Sequence, residues 1–220
     1  MPNWDILILD KSASMTSNKI SLVNGFNELI TEQKSEKSDN FFTVITFNDE
    51  VELYKEDKIK NFTLMKNTDI ITRGTTALYD AIGYAYNMIL QKIDYNKITI
   101  TIITDGLEND SKYYTVEDLN NMKKIIENKY TVKLVFIGTD ISCITNNCIE
   151  GHATHSVDCK GDLKDALKIA SRTMSSHREG SNYIPQGVVT STATPLVMKR
   201  SKTYEQNPPN IKKCKSFCNF

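Results

Sequence analysis

No stretch of the 220 residues stays apolar for the roughly 20 positions that a membrane-spanning helix requires. The N-terminal residues show no secretory-leader pattern either: Trp4-Asp5-Ile6-Leu7-Ile8-Leu9 follows no basic stretch and ends in a charged turn. These two absences predict a cytoplasmic protein. Charge of one sign is also lacking. The 27 Lys/Arg and 27 Asp/Glu cancel, so nothing global draws the chain to nucleic acid or to an anionic membrane. No Gly-x-Ser-x-Gly, Gly-x-Gly-x-x-Gly or Gly-x₄-Gly-Lys-Ser/Thr occurs. That leaves a serine hydrolase, a dinucleotide site and a P-loop without support. The five cysteines are odd in number, which, with no leader pattern in view, argues against a disulfide framework.

Hydrophobic residues make up 40% and charged residues 25%, enough for one full α/β domain with a short appendage. Through residue 177 apolar runs of strand length alternate with stripes of helical period. Ile6–Leu9, Phe41–Phe47, Lys97–Thr104 and Thr131–Ile137 read as strands, with short strands at Val51–Tyr54 and His155–Val157. Helical stripes run through Leu22, Phe26, Leu29 and Ile30, then through Leu78, Ile82, Ala85, Tyr86 and Ile89. Two more follow, one through Leu119, Met122, Ile125 and Ile126, the other through Leu163, Ala166, Leu167, Ala170 and Met174. Thr115 with Asp118 resembles a capping box. The expected fold is a three-layer α/β/α, Rossmann-like arrangement, with a mostly parallel sheet and one antiparallel edge strand from the Phe41–Tyr54 hairpin.

Residues 178–220 differ in texture. They hold four of the five prolines and seven Lys/Arg against two Asp/Glu. A flexible tail is the plainer expectation. A sharper one is that Val188-Val189 or Pro195-Leu196-Val197-Met198 docks on the body or on another protein.

Three separated pieces carry chemistry. Asp10-Lys11-Ser12-Ala13-Ser14 follows the first strand, Gly74-Thr75-Thr76-Ala77-Leu78 enters a helix, and Thr104-Asp105-Gly106 follows the Lys97–Thr104 strand. In an open parallel sheet, strand ends of this kind converge where the strand order reverses. The pieces offer two carboxylates, Asp10 and Asp105, and three hydroxyls, Ser12, Ser14 and Thr76. An all-oxygen set suits a hard cation, Mg²⁺ or Mn²⁺. Two carboxylates balance the charge only once, so the ion stays receptive to an outside oxygen. Taken singly, Asp-x-Ser-x-Ser is more often a cap or turn, and Asp-Gly is simply a turn. Their joint placement favours the metal.

Leu9-Asp10-Lys11-Ser12-Ala13-Ser14-Met15, Val23-Asn24-Gly25-Phe26-Asn27, Arg73 to Gly83 and Ile103 to Asn109 together resemble the von Willebrand factor A family over roughly residues 5–175. The stand-alone intracellular members of bacteria and large DNA viruses are the most similar. The resemblance implies a metal-ion-dependent adhesion site with Asp10, Ser12, Ser14, Thr76 and Asp105 as ligands. It also implies a non-enzymatic protein-binding module in which a Glu or Asp of the partner completes the sphere. Intracellular members are often linked to ATPases and multiprotein assemblies. Two positions depart from the pattern: Ala13 and Thr75 stand where the family usually has glycine, and alanine would strain a positive φ at position 13.

The rival function is a Mg²⁺-dependent phosphohydrolase, which also places an Asp after a first strand. It usually needs a second acid two residues on, where this chain has Ser12. Asp80 reads as compensation of a helix dipole, and Glu108 with Asn109 as rim decoration. Cys143, Cys148, His152, His155 and Cys159 could supply a zinc site, but their spacing fits no Cys-x₂-Cys pattern, so unrelated thiols and imidazoles are the plainer reading. Cys214 and Cys218 read as free thiols of the tail.

Overall fold

The computed structural model describes residues 2–36, 39–92, 95, 97–106, 108–138, 155–158, 163–181, 183 and 188–189. The first strand, β1 (Trp4–Asp10), is buried at every position, which its unbroken apolar run requires of a strand covered on both faces. After it come α1 (Lys19–Ser35), β2 (Phe41–Phe47), β3 (Val51–Lys58), α2 (Leu78–Gln91), β4 (Lys97–Thr104), α3 (Val116–Glu127), β5 (Thr131–Gly138), β6 (His155–Asp158), a helix here called α4 (Leu163–Glu179) and β7 (Val188–Val189). The seven strands form one sheet in the order β3-β2-β1-β4-β5-β6-β7. β1 pairs in parallel with both β2 and β4, and the parallel ladder continues through β5 to β6.

Antiparallel pairing occurs at both edges. β3 returns against β2 as expected, but runs four residues beyond Tyr54, to Lys58. Its charged residues suit an edge, and three of them are held by ion pairs, Glu52 with Lys11, Glu56 with Lys92 and Lys58 with Asp39. The second antiparallel edge is an addition: Val188 and Val189 pair with Val157 and Ser156. The sheet thus continues into the stretch set apart by composition.

Strand alternation divides the core in two. Leu7 and Leu9 join Leu22, Phe26 and Ile30 of α1 and Leu167, Ala170 and Met174 of α4. Trp4, Ile6 and Ile8 join Leu78, Ile82 and Tyr86 of α2 and Leu119, Met122 and Ile126 of α3. Ile125, counted with the α3 stripe, is instead 47% exposed, because the buried face runs through 119, 122 and 126. The capping box at Thr115 is present: its hydroxyl accepts from the Asp118 amide at 3.3 Å, and the Asp118 carboxylate accepts from the Thr115 amide at 2.8 Å.

The last helix is tied to the first strand by charge. The guanidinium of Arg178 donates to Asp5 of β1 and to Gln33 and Glu36 around the end of α1. Its side chain is only 6% exposed and that of Asp5 1%. Burial pushes the Asp5 carboxyl above its usual range, against the opposing pull of Arg178. Beside this cluster, Thr99 and His177 Nδ1 lie 3.0 Å apart, Lys97 donates to the Arg178 carbonyl and Lys133 to the Tyr183 carbonyl. Burial first, then Lys133, Lys97 and Arg178, push the His177 imidazole down to about 4.

Cys143, Cys148, His152, Cys159, Cys214, Cys218 and the 195–198 segment lie outside the described residues, as does the side chain of His155.

Candidate metal centre

The carboxyl ends of β1 and β4 are neighbours in the sheet, with Leu9 opposite Ile103. The chain leaves β1 towards β2 on one side and returns to β4 on the other, so this is where the order reverses. Asp10 closes β1 and Asp105 directly follows β4. The connection before α2 crosses the same edge through backbone hydrogen bonds. Arg73 N donates to the Lys11 carbonyl at 3.0 Å, Ala13 N to the Gly74 carbonyl at 3.1 Å, and Ala77 N to the Asn48 carbonyl at 2.7 Å. Gly74 has a φ of +73°, and a Cβ there would lie 2.0 Å from Asp49 Oδ1, so only glycine fits this crossing.

All five expected site residues meet here. Asp10 Oδ1 accepts from the Ser12 amide at 2.6 Å, and Oδ2 accepts from the Thr104 hydroxyl. The Ser12 and Ser14 hydroxyls lie 3.0 Å apart, and Ser14 Oγ donates to Asp105 Oδ1 at 2.6 Å. Thr76 enters from the α2 side. A Cβ built on Gly106 would lie 3.3 Å from Thr76 Oγ1, 3.7 Å from Ser14 Oγ and 3.9 Å from Asp10 Oδ2. Oxygens from the first two stretches therefore face one small space beside the third, kept clear by a missing side chain, and Asp105 joins them through Ser14. Asp10, Ser12 and Thr76 are buried, whereas Ser14 is exposed and Asp105 half-buried, so the cluster opens outward on one side.

The donor set fits a hard divalent cation. Burial raises the Asp10 carboxyl above its usual range, and the like charge of Asp105 adds to this, while the Thr104 and Ser12 hydrogen bonds oppose it. The adjacent ammonium, Lys11, turns away to Glu52 at 2.7 Å. Asp10 accepts from the Thr104 hydroxyl and the Ser12 amide, which are neutral donors. A cation would neutralise the buried Asp10, whose charge burial and the nearby Asp105 disfavour.

Ala13 opens a 3-10 turn spanning Ala13–Thr16. That is a right-handed conformation which alanine adopts freely, so the strain expected of a positive φ does not arise. Thr75 has a use of its own, since its hydroxyl donates to Asp110 at 2.7 Å.

Three residues that the sequence left at the margin hold the site together. The α2 N-cap is Ala77, which has no side-chain acceptor for the first helical amides. The 108–111 loop supplies the partners: Glu108 Oε2 accepts from Tyr79 N at 2.9 Å, and Ser111 Oγ accepts from Asp80 N at 3.1 Å. Asn109 Oδ1 accepts from Thr76 N at 2.9 Å, and its own amide donates to the Thr76 carbonyl at 3.0 Å. Asp80, buried, accepts from Lys112, Tyr113 and Tyr114 amides at 2.8–3.0 Å. Its role is that of a loop anchor as well as a first-turn acid. A carboxylate or amide that pins backbone amides leaves no periodic trace; the only signal was the density of Asp, Glu, Asn and Ser after β4.

The family model described as von Willebrand factor type A domain matches residues 6–108, which include all five site positions. Residues 6–108 belong to a von Willebrand factor A domain. Solved structures agree on the A-domain fold. A von Willebrand factor type A protein from Catenulispora acidiphila is 12% identical, with a TM-score of 0.55, covering 79% of this chain and 43% of that one. The pilus adhesin SpaC from Lactobacillus rhamnosus GG is 14% identical, with a TM-score of 0.58, covering 79% and 30%. The vWF domain of the type V pili tip protein Mfa5 from Porphyromonas gingivalis is 10% identical, with a TM-score of 0.59, covering 84% and 97%. The chain thus spans less than half the length of the first two. A search of curated sequences finds no match. Among the described residues, no helix is long and apolar enough to cross a membrane.

Proposed function

We propose that this A domain is a non-enzymatic, divalent-cation-dependent protein-binding module. Asp10, Ser12, Ser14, Thr76 and Asp105 would hold Mg²⁺, or Mn²⁺ by the same oxygen preference. When bound, the ion supplies Lewis acidity towards a Glu or Asp carboxylate of a partner protein. The observation that carries the reading is the space beside Gly106, where oxygens of Thr76, Ser14 and Asp10 all lie within 4 Å of one point. The two acids bring the charge and the hydroxyls complete an oxygen surface. Asn109 and Glu108 fix Thr76 and the start of α2 relative to β4. The exposed flank at Ser14 gives a partner its approach. The likeness to a pilus adhesin and a pilus tip protein agrees with an interaction module.

Calorimetric titration of Mg²⁺ into the wild type and Asp10→Ala tests the site. Binding heat is expected for the wild type and none for the folded variant; equal heats would refute the site. Turnover of an aryl phosphate with Mg²⁺ is expected to stay at background, and turnover lost in Asp10→Ala would replace this reading with a phosphohydrolase. The partner should be a single protein or part of a larger assembly, retained with Mg²⁺ and released by EDTA.

A further inference from the structure

Five large apolar side chains are exposed among the described residues: Ile20, Leu64, Ile71, Tyr113 and Ile125. Two of them lie within a few residues of side chains tied to the candidate metal centre. Ile20, 64% exposed, lies in the first turn of α1, two residues after Asn18, whose side-chain Nδ2 donates to Asp105 Oδ2 at 3.4 Å. Ile71, 62% exposed, immediately precedes Thr72, whose hydroxyl accepts from Thr16 at 3.1 Å. That bond joins the turn carrying Ser14 to the connection carrying Thr76, with Ile20 four residues after one partner and Ile71 next to the other. Each also has a cationic neighbour. Lys19 precedes Ile20, and Arg73, exposed, lies two residues after Ile71; neither forms an ion pair with another described residue. Isolated exposed apolar residues are ordinary, but a pair beside a cation centre and flanked by unpaired bases is a surface of defined chemistry.

We infer that the partner segment reaching this centre carries an aliphatic side chain close to its carboxylate, and that Ile20 and Ile71 receive it while Lys19 and Arg73 favour further acids nearby. The occupant is thus an acidic, aliphatic-flanked stretch of another protein. The inference rests on the cation-dependent reading of the site and adds to it which partners are chosen. Leu64 provides an internal control. It is 58% exposed and precedes Met65, whose amide and carbonyl bond to the Asn27 side chain, seven residues along α1 from Ile20. Seven residues are about 10 Å of helix.

The test is selection of a random short-peptide phage library on the immobilised full chain with Mg²⁺, eluting with EDTA. Eluted peptides are expected to be enriched in Asp or Glu with Leu, Ile, Val or Met within two positions. Affinity of a selected synthetic peptide should fall about tenfold for Ile20→Ser with Ile71→Ser, an effect of a few methylenes losing their contact. The preference for an acid should survive in that variant, and Leu64→Ser should bind as the wild type does. Acidic peptides without an aliphatic preference, or an aliphatic preference unmoved by the double substitution, would overturn the inference while leaving the cation-dependent site standing. Absence of any EDTA-released acidic peptide would overturn both.

Discussion

Ser14 Oγ donates a 2.6 Å hydrogen bond to Asp105 Oδ1, joining the loop after β1 to the loop after β4 across 91 positions of sequence. A serine on the open side of the cluster therefore orients the half-buried acid, while the fully buried acid, Asp10, is oriented by Thr104 and the Ser12 amide. The two carboxylates are held by different donors, which the Ser12–Ser14 hydroxyl pair links. That arrangement makes the contribution of each part measurable.

Gly106→Ala should cut Mg²⁺ affinity by an order of magnitude or more, because the added methyl would lie 3.3 Å from Thr76 Oγ1 and fill the shared space. Gly106 does not have a positive φ, so the fold should persist. Calorimetric titration checks affinity, and circular dichroism checks the fold. Unchanged affinity would mean the oxygens converge on some other point.

Asp10→Asn should melt at or above the wild type in EDTA, since it removes a buried charge that burial and Asp105 both disfavour. Adding Mg²⁺ at about 100 times its Kd should raise the wild-type Tm by roughly 5–10 °C, following mass action and the entropy of unfolding for a domain of this size. The variant should not shift. Scanning calorimetry with and without the ion decides it, and equal shifts would place the cation elsewhere.

Asp80→Ala should destabilise the domain by about 3 kcal/mol, because the Lys112, Tyr113 and Tyr114 amides lose a charged acceptor together. Urea denaturation followed by circular dichroism gives the value. A loss below roughly 0.5 kcal/mol would show that water replaces the carboxylate without cost.

Stability should decline as pH falls from about 6.5 towards 4. The folded His177 imidazole is held down to about 4 while the unfolded chain takes up its proton near the ordinary 6.5. In that window the unfolded state binds more protons, so acidification favours it. Urea midpoints at pH 7 and pH 5 should therefore differ more for the wild type than for His177→Gln. Equal declines would remove His177 as a source of acid sensitivity.

The strands and most helices could be read directly from the chain, because burial on both faces leaves a continuous apolar run at β1 and an Ile/Thr-rich run at β4, and burial on one leaves the stripes of α1, α2 and α4. The length of β3 could not: beyond Tyr54 it is Lys-Glu-Asp-Lys, a composition that says loop until pairing with β2 is known. Pairing of Val188-Val189 with β6 could not be read either: two valines carry no period, and a flexible tail was the plainer expectation there. The five oxygen positions were visible because each sits at an element's end. The residues that hold them in register, Asn109, Glu108 and Asp80, act on backbone amides of distant segments, which composition does not reveal.

The Arg178 guanidinium has a practical bearing on any attempt to isolate the domain. A cut made just before it, where prolines and lysines begin to accumulate, would strip the last helix of its end and strand a sealed-in anion in the opening strand. Losing one member of so dry a pair typically forfeits about 3–5 kcal/mol, a large share of what keeps a domain of this kind folded. A shortened version that precipitates would thus report a misplaced boundary and say nothing about what the discarded segment does.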